Sequence, residues 1–430
     1  MNDLPPIRIG SSSYLKGRIG WQGLRASEFT EEGPYLITGT DFSNGRIDWG
    51  RCYHVTPKRF AEAPYIHVRD DDLLITKDGT IGKVAHVANC PPQAVLNSGI
   101  FLLRCSDSSY LHRYAYYVLT SFVFDRFLRL NQNGSTINHL YQQTFVRFEF
   151  PRVQIPVQRK IASILSTIDT AIEQTEALIE KYQHIKAGLM RDLFTRGVLP
   201  NGQLRPPREQ APELYQDTAI GWIPMEWKVS GLASKGRTGT SWIRTGPFGS
   251  SLKGEHWRID GHPVITIGAL GAGEFIESEL LYVGPKDASR LIDFQLKEND
   301  VVFSRVADVG RSVVVRETQA GWIMSSNLMR IAVNETLLRP DYLQMQLASD
   351  SRVKAQIRAS VNSGGRDVAN SEVLNRLRFA IPKPNEQDRI IAMANRLAQC
   401  TNAEMRGIAK LQTQKLGLMQ DLLTGKVSVQ

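Results

Sequence analysis

The longest regular pattern in the chain runs from about Val157 to Phe194, where apolar side chains recur at Ile161, Ile164, Ile168, Ile172, Ile179, Tyr182, Leu189 and Leu193. Steps of three, four and seven residues trace one stripe along a long helix. A second stripe advances in the same way through Ile390, Ala394, Leu397, Met405, Ile408, Leu411, Leu418 and Leu422. Charged and amide residues fill the remaining positions, as a coiled-coil seam requires. Pro156 and Pro384 suit the first turn of each helix, and Gly197 and Gly425 suit the ends. A helix of about 38 residues is roughly 57 Å long. Taken singly, each stripe also fits a core helix lying on its own domain. Two near-equal stripes instead predict two long helices that pack together antiparallel.

Ahead of each helix the period changes. PYLITGTDF (34–42), DLLITK (72–77), KVAHVA (83–88) and IFLLRC (100–105) are short β-branched or aromatic runs punctuated by Gly, Pro, Asn and Asp, which reads as strands. Helical periodicity returns over residues 110–130 and 340–358. Residues 199–218, with Pro200, Pro206, Pro207 and Pro212, form a polar connection before the segment GWIPMEWKV (221–229) opens a second body.

These elements occur twice. KAGLMRDLFTRGV (186–198) and KLGLMQDLLTGKV (415–427) are identical at eight aligned positions, and Lys415 minus Lys186 gives an offset of 229. At nearly the same offset DDLLITKDGTIGKVAHV (71–87) aligns with NDVVFSRVADVGRSVVV (299–315), VLNSGIFL (95–102) with IMSSNLMR (323–330), and the loop NGSTINHL (133–140) with SGGRDVAN (363–370). IPVQRKIASIL (155–165) and IPKPNEQDRIIAMA (381–394) are matching helix starts. So long a period argues for two whole domains rather than a solenoid. The expected architecture is α+β: two mixed α/β bodies related by pseudo-twofold symmetry and joined by two long antiparallel coiled-coil helices. The expected boundaries are 1–152 and 199–380 for the bodies, the latter including the linker, and 153–198 and 381–430 for the helices.

Composition narrows the function. The 430 residues are 42% hydrophobic, ordinary for a globular protein with two or three cores. No apolar run reaches the length of a membrane span, and the segment MNDLPPIRIG lacks a signal-peptide pattern, so a cytoplasmic protein is expected. Cys52, Cys90, Cys105 and Cys400 form no CxxC pair and the eight histidines show no ligand spacing, which predicts reduced structural thiols and no metal. Lys plus Arg exceeds Asp plus Glu by 52 to 43, a net charge of +9 that favours a polyanionic partner.

No catalytic signature accompanies that charge. The pairs Pro5-Pro6, Pro91-Pro92 and Pro206-Pro207 lack the neighbours of an amino-methyltransferase tetrapeptide, and GPFGSSLKGE (246–255) and GALGAGEF (268–275) fit no nucleotide loop. Asp217, Glu226 and Lys228 are the nearest approach to a nuclease centre, a match short enough to arise by chance.

The stronger chemical signal is a pair of basic, glycine-containing turns at equivalent places. Lys77, Thr80 and Lys83 lie in one, and Arg305 and Arg311 in the other. Cations at both ends of a hairpin can clamp phosphate while short polar residues approach base edges; a plain solvated hairpin is the alternative. The polar loops add Asn133, Ser135, Thr136 and Asn138, then Asn362 and Arg366, groups able to read adenine or guanine. Near the start of each body Lys16 and Arg18, then Arg244, Lys253 and His256, complete the candidate DNA-binding set. The candidate partner-binding seam comprises Ile161, Ile168, Ile172, Ile179, Leu189, Leu193, Leu397, Ile408, Leu411, Leu418 and Leu422.

The layout, together with GLMRDLFTRGV, GLMQDLLTGKV, PNEQDRI (384–390), GWIPMEWKV and TKDGTIGKV (76–84), resembles the specificity subunit of Type I restriction-modification systems over nearly the full length. Two departures are that IPVQRKI lacks the Glu of the second helix start and that the first body opens at LPPIRIG. The resemblance implies a non-catalytic reader of double-stranded DNA with a bipartite target. It implies two modification (methyltransferase) subunits that bring S-adenosylmethionine, restriction subunits as further partners, no cofactor on this chain and no membrane. The competing classes are the recognition part of a fused nuclease or methyltransferase and a protein-only coiled-coil adaptor.

Overall fold

In the computed structural model the chain forms two compact units, one of residues 1–177 with 405–430, the other of residues 178–404. The described residues are 5–18, 24–131, 139–239, 241–362, 368–424 and 426–427. The long helices run Ile155–Thr195 and Pro384–Leu423, a few residues longer than the stripes alone require. Each unit contains a segment of both.

The first unit is built on a four-stranded antiparallel sheet in the order Ser13–Gly17, Ile100–Cys105, Leu73–Thr76, Val84–His86. The second repeats this order with Ile243–Thr245, Leu328–Ile331, Val301–Ser304 and Ser312–Val314. A second sheet in each unit contains a parallel pair, Phe29–Ile37 with Ala94–Leu96 and His262–Ile265 with Ile323–Met324. Here the copies diverge: the first has three strands and the second four. The strand just ahead of each four-stranded sheet pairs with the one before the long helix, Ile7–Arg8 with Glu149–Phe150 and Lys228–Ser230 with Phe379–Ile381.

Two expectations need local correction. The run 34–42 is not one strand. Extended chain stops at Ile37, and Thr38 opens a tight turn in which its amide donates to Asp41 at 2.7 Å. The helices over 110–130 and 340–358 are each broken once, into His112–Leu119 and Phe122–Asn131, and into Pro340–Ser349 and Ser351–Asn362. Ser121 and Asp350 sit at these breaks, 229 residues apart, and each accepts from the amide two residues on, Val123 at 3.2 Å and Arg352 at 2.9 Å. Ser and Asp favour such caps because their oxygens satisfy amides that a helix start leaves unpaired.

In the first unit Phe124, Phe145, Phe148, Phe150 and Tyr114 form a core with Ile161 and Leu165 of one long helix and Met419 and Leu422 of the other. Lys415 reaches Asp169 at 2.6 Å, and Tyr117 donates to the same carboxylate at 2.7 Å. Partners at 161–169 and 415–423 run in opposite senses, so these segments are antiparallel. In the second unit Leu193 and Phe194 share a core with Ile390 and Ala394, and the Val198 amide donates to Glu386 at 3.0 Å, again antiparallel. Seam burial is uneven. Ile161, Leu193 and Leu422 are buried, whereas Ile168, Ile172, Ile179, Leu189, Leu397, Ile408, Leu411 and Leu418 are half-buried. Met405 and Leu416 are exposed.

A duplicated glutamine fastens each long helix to its body. Gln158 accepts from the Leu111 amide at 2.8 Å and donates to the Ser109 and Val153 carbonyls at 3.0 and 2.9 Å. Gln387 accepts from Arg339 at 2.7 Å and donates to Leu337 and Pro382 at 3.0 and 2.9 Å. Both side chains are fully buried, and Leu111 and Arg339 are the N-cap residues of the helices at 112 and 340. The Glu present only in the second helix start also acquires a reason: Glu386 is buried against Arg205 and the end of the preceding long helix.

Candidate nucleic-acid interface

The two basic turns share one hydrogen-bond frame. In the first, Thr76 and Gly82 close the hairpin through Thr76 N–H to Lys83 O (2.9 Å) and Gly82 N–H to Thr76 O (2.9 Å); in the second, Ser304 to Arg311 (2.8 Å) and Gly310 to Ser304 (3.2 Å) do the same. Gly82 (φ 80°) and Gly310 (φ 104°) occupy the left-handed region that admits glycine readily. A side chain at Gly82 would also collide with Leu128.

Each turn receives the end of the polar loop that lies about sixty residues further along the chain. The Leu140 amide donates to Lys77 O at 2.9 Å, and the Ala369 amide to Arg305 O at 2.7 Å. Hairpin tip and loop end therefore meet in both copies, a juxtaposition the linear sequence does not display. His139 contacts Asp78 through Nδ1 and packs edge-on against Tyr141 with ring centres 4.5 Å apart. Tyr141 is 61% exposed. In the second unit Val306 bridges Val368, which is 37% exposed.

The individual candidates divide by environment. Lys16, Thr80, Lys83 and Lys253 are exposed, and Lys77 is half-buried with its ammonium 5.1 Å from the Phe101 ring centre. Arg244 is half-buried, paired with Asp293 at 3.0 Å and stacked over Phe294. His256 caps its own turn by accepting from the Lys253 amide at 2.9 Å. Three cations differ from the expectation of surface phosphate clamps. Arg18 is buried and donates to Leu96 O at 2.9 Å, burial holding its guanidinium below the usual range. Arg305 donates to the carbonyls of Ala369 and Ser326, tying the polar loop to the turn. Arg311 forks onto Asp308 at 2.8 and 3.1 Å and donates to Leu270 O at 2.7 Å. Backbone carbonyls far away in sequence engage each of these groups. Asn133, Ser135, Thr136, Asn138 and Arg366 lie outside the described residues, as does the side chain of Asn362. His139, Tyr141 and Val368 lie at these loop ends, a placement beside the turns that only the long-range fold displays.

At the opposite end of the first hairpin Asp71, with φ 70°, accepts from His112 Nδ1 at 2.8 Å and His86 Nε2 at 2.6 Å. These hydrogen bonds, that of His112 foremost, hold its carboxyl well below the usual carboxylate range. His112 Nε2 in turn accepts from the Cys105 amide at 2.7 Å, which fixes its tautomer and anchors the helix that follows to the sheet.

In the second unit a cleft of about 920 Å³ opens between the turn at 307–312, the helices at 340–362 and both long helices. Ala398 stands there at the position, by the 229 offset, of Asp169, so Lys186 lacks the carboxylate that its counterpart Lys415 holds. Of Asp217, Glu226 and Lys228, the nearest approach to a nuclease centre in the sequence, Glu226 is held by Arg205 at 3.1 Å. No group of three or more His, Cys, Asp or Glu converges as a metal would need among the described residues, and no described helix is long and apolar enough to cross a membrane.

Comparison with known proteins agrees with this geometry. Residues 23–182 match the family described as Type I restriction modification DNA specificity domain. The MjaVIII specificity subunit of Methanocaldococcus jannaschii is 23% identical, over 99% of this chain and 93% of its own length. The EcoKI specificity subunit of Escherichia coli K12 is 21% identical over 84% and 75%. The Type I restriction-modification S subunit from M. genitalium has the same fold, with a TM-score of 0.56 at 14% identity over 97% and 96% of the two chains. A chain solved for the structural basis of complex assembly and conformational transition of the type I R-M system gives 0.55 at 13% identity over 97% of each.

Proposed function

We propose that this chain, which belongs to the specificity subunits of Type I restriction-modification systems, reads a bipartite double-stranded DNA target and leaves the bond-making to partner subunits. The observation that carries this reading is the duplicated tip. Two hairpin turns with one backbone frame, each met by a polar loop, present different side chains. A shared frame supplies the same approach to the groove twice, and different side chains make the half-sites different.

Each body, residues 1–152 and 199–380, acts as one target-recognition domain. Exposed Lys16, Lys83 and Lys253 supply phosphate contacts that set register, while the tips supply base contacts. The two long helices set the spacing of the half-sites and receive two modification subunits, whose S-adenosylmethionine supplies the methyl group for an adenine flipped out of each half. Restriction subunits join that assembly, which works in the cytoplasm. Buried Gln158 and Gln387 support the spacing role, because they fix where each helix leaves its body.

The test is transfer of labelled methyl groups from S-adenosylmethionine to DNA by the chain alone, by modification subunits alone and by the mixture. Methylation by the mixture only, confined to sequences with two half-sites, is expected. Methyl transfer by the isolated chain, or by the mixture without sequence preference, would overturn the reading.

A further inference from the structure

The hydrogen-bond frames of the two tips give a residue-by-residue equivalence: Thr76 with Ser304, Gly82 with Gly310, Lys83 with Arg311, and Leu140 with Ala369. Asp78 therefore corresponds to Val306 and His139 to Val368. One backbone position holds a hydrogen-bonding couple in the first unit and a bridged apolar couple in the second. Neither couple is sealed in the core. The Asp78 and His139 side chains are 46% and 26% exposed, and Val368 is 37% exposed. No packing demand explains why one copy needs charge and the other methyl groups, because the surrounding frame is the same.

We infer that the couple at 78/139 and 306/368 is a specificity-determining position, so that Asp78 with His139 selects a base offering an amino group and Val306 with Val368 selects a thymine methyl group. The inference rests on the DNA-reading function proposed above. With Nδ1 directed at Asp78, the neutral His139 ring presents Nε2 as an acceptor, and the free lone pairs of Asp78 accept as well. Cytosine N4 and adenine N6 are the major-groove amino donors such a site matches. A valine pair has no polar atom to offer, and its favourable major-groove partner is the C5-methyl of thymine. Leaving the carboxylate opposite a carbonyl edge would place two acceptors face to face, so the polar couple rejects as well as selects.

The test exchanges the couples in the full chain assembled with its modification subunits: Asp78→Val with His139→Val, and separately Val306→Asp with Val368→His. Each complex methylates a pool of duplexes randomised in both half-sites, and the modified fraction is sequenced. The first exchange is expected to lower the preference for an amino-bearing base at one position of one half-site on the order of tenfold, toward thymine, with the other half-site unchanged. The second should do the converse in the other half-site. An unchanged consensus in both halves, with methylation retained, overturns the inference and leaves the DNA-reading function standing. A wild-type complex that shows no base preference overturns the DNA-reading function itself. Asp78→Asn, which keeps the shape of the turn, covers a valine variant that fails to fold: it must shift the same position or the inference fails.

Discussion

Replacing Gln387 with Met removes three hydrogen bonds while nearly preserving side-chain volume. The amide of Arg339 and the carbonyls of Leu337 and Pro382 lose partners at 2.7, 3.0 and 2.9 Å in a fully buried place. An orphaned buried group costs about 1–3 kcal/mol, and carbonyls tolerate the loss better than amides. Charging about 2 kcal/mol to the amide and about 0.5 kcal/mol to each carbonyl gives about 3 kcal/mol. For a unit of this size that corresponds to a melting shift of roughly 6–12 °C. Calorimetry measures the shift, and hydrogen exchange locates it: the Arg339 amide should exchange faster than its neighbours in the second unit, while the Leu111 amide held by Gln158 stays slow. A shift below about 2 °C with the Arg339 amide still protected would refute the claim that this glutamine fastens helix to body.

Glu386→Gln breaks a buried pair with Arg205, which retains Glu226 at 3.1 Å. The usual cost of such a break, about 3–5 kcal/mol, should fall to about 2–3 kcal/mol, read as a lower denaturation midpoint. Asp71→Asn keeps a residue that tolerates φ 70° but removes the carboxylate. Because the carboxyl lies below its ordinary value of 3.8 when folded, its contribution is fully present above that pH and is lost as pH falls below it. The variant should therefore be less stable than wild type at pH 6, with the two curves starting to approach each other below pH 3.8 and meeting only as pH falls through the carboxyl's lowered folded-state value, in acid titrations followed by circular dichroism. Parallel curves at all pH values would remove Asp71 from the argument.

Periodicity made the long helices legible, because their stripes persist over some forty residues, and the repeat made the two-body plan legible. The breaks at Ser121 and Asp350 were written in cap residues but outweighed by the apolar period around them. The basic turns were visible as glycine and charge. Their occupancy was not, since Leu96, Ala369 and Leu270, the carbonyl partners of Arg18, Arg305 and Arg311, come from distant parts of the chain. The pairing of turn with loop end depends on the same long-range folding, and so do His139 and Val368. Ala398 could be read in place of Asp169 by alignment, but the cleft beside it could not.

The most direct test of the central claim is the half-site spacing preferred after one heptad is deleted from each long helix, which keeps the seam in phase. Seven residues at 1.5 Å remove about 10 Å, roughly three base pairs of DNA at 3.4 Å each. The assembled complex should then methylate targets whose spacer is about three base pairs shorter, with both half-site sequences unchanged. A folded, active complex that keeps the original spacing would contradict the account.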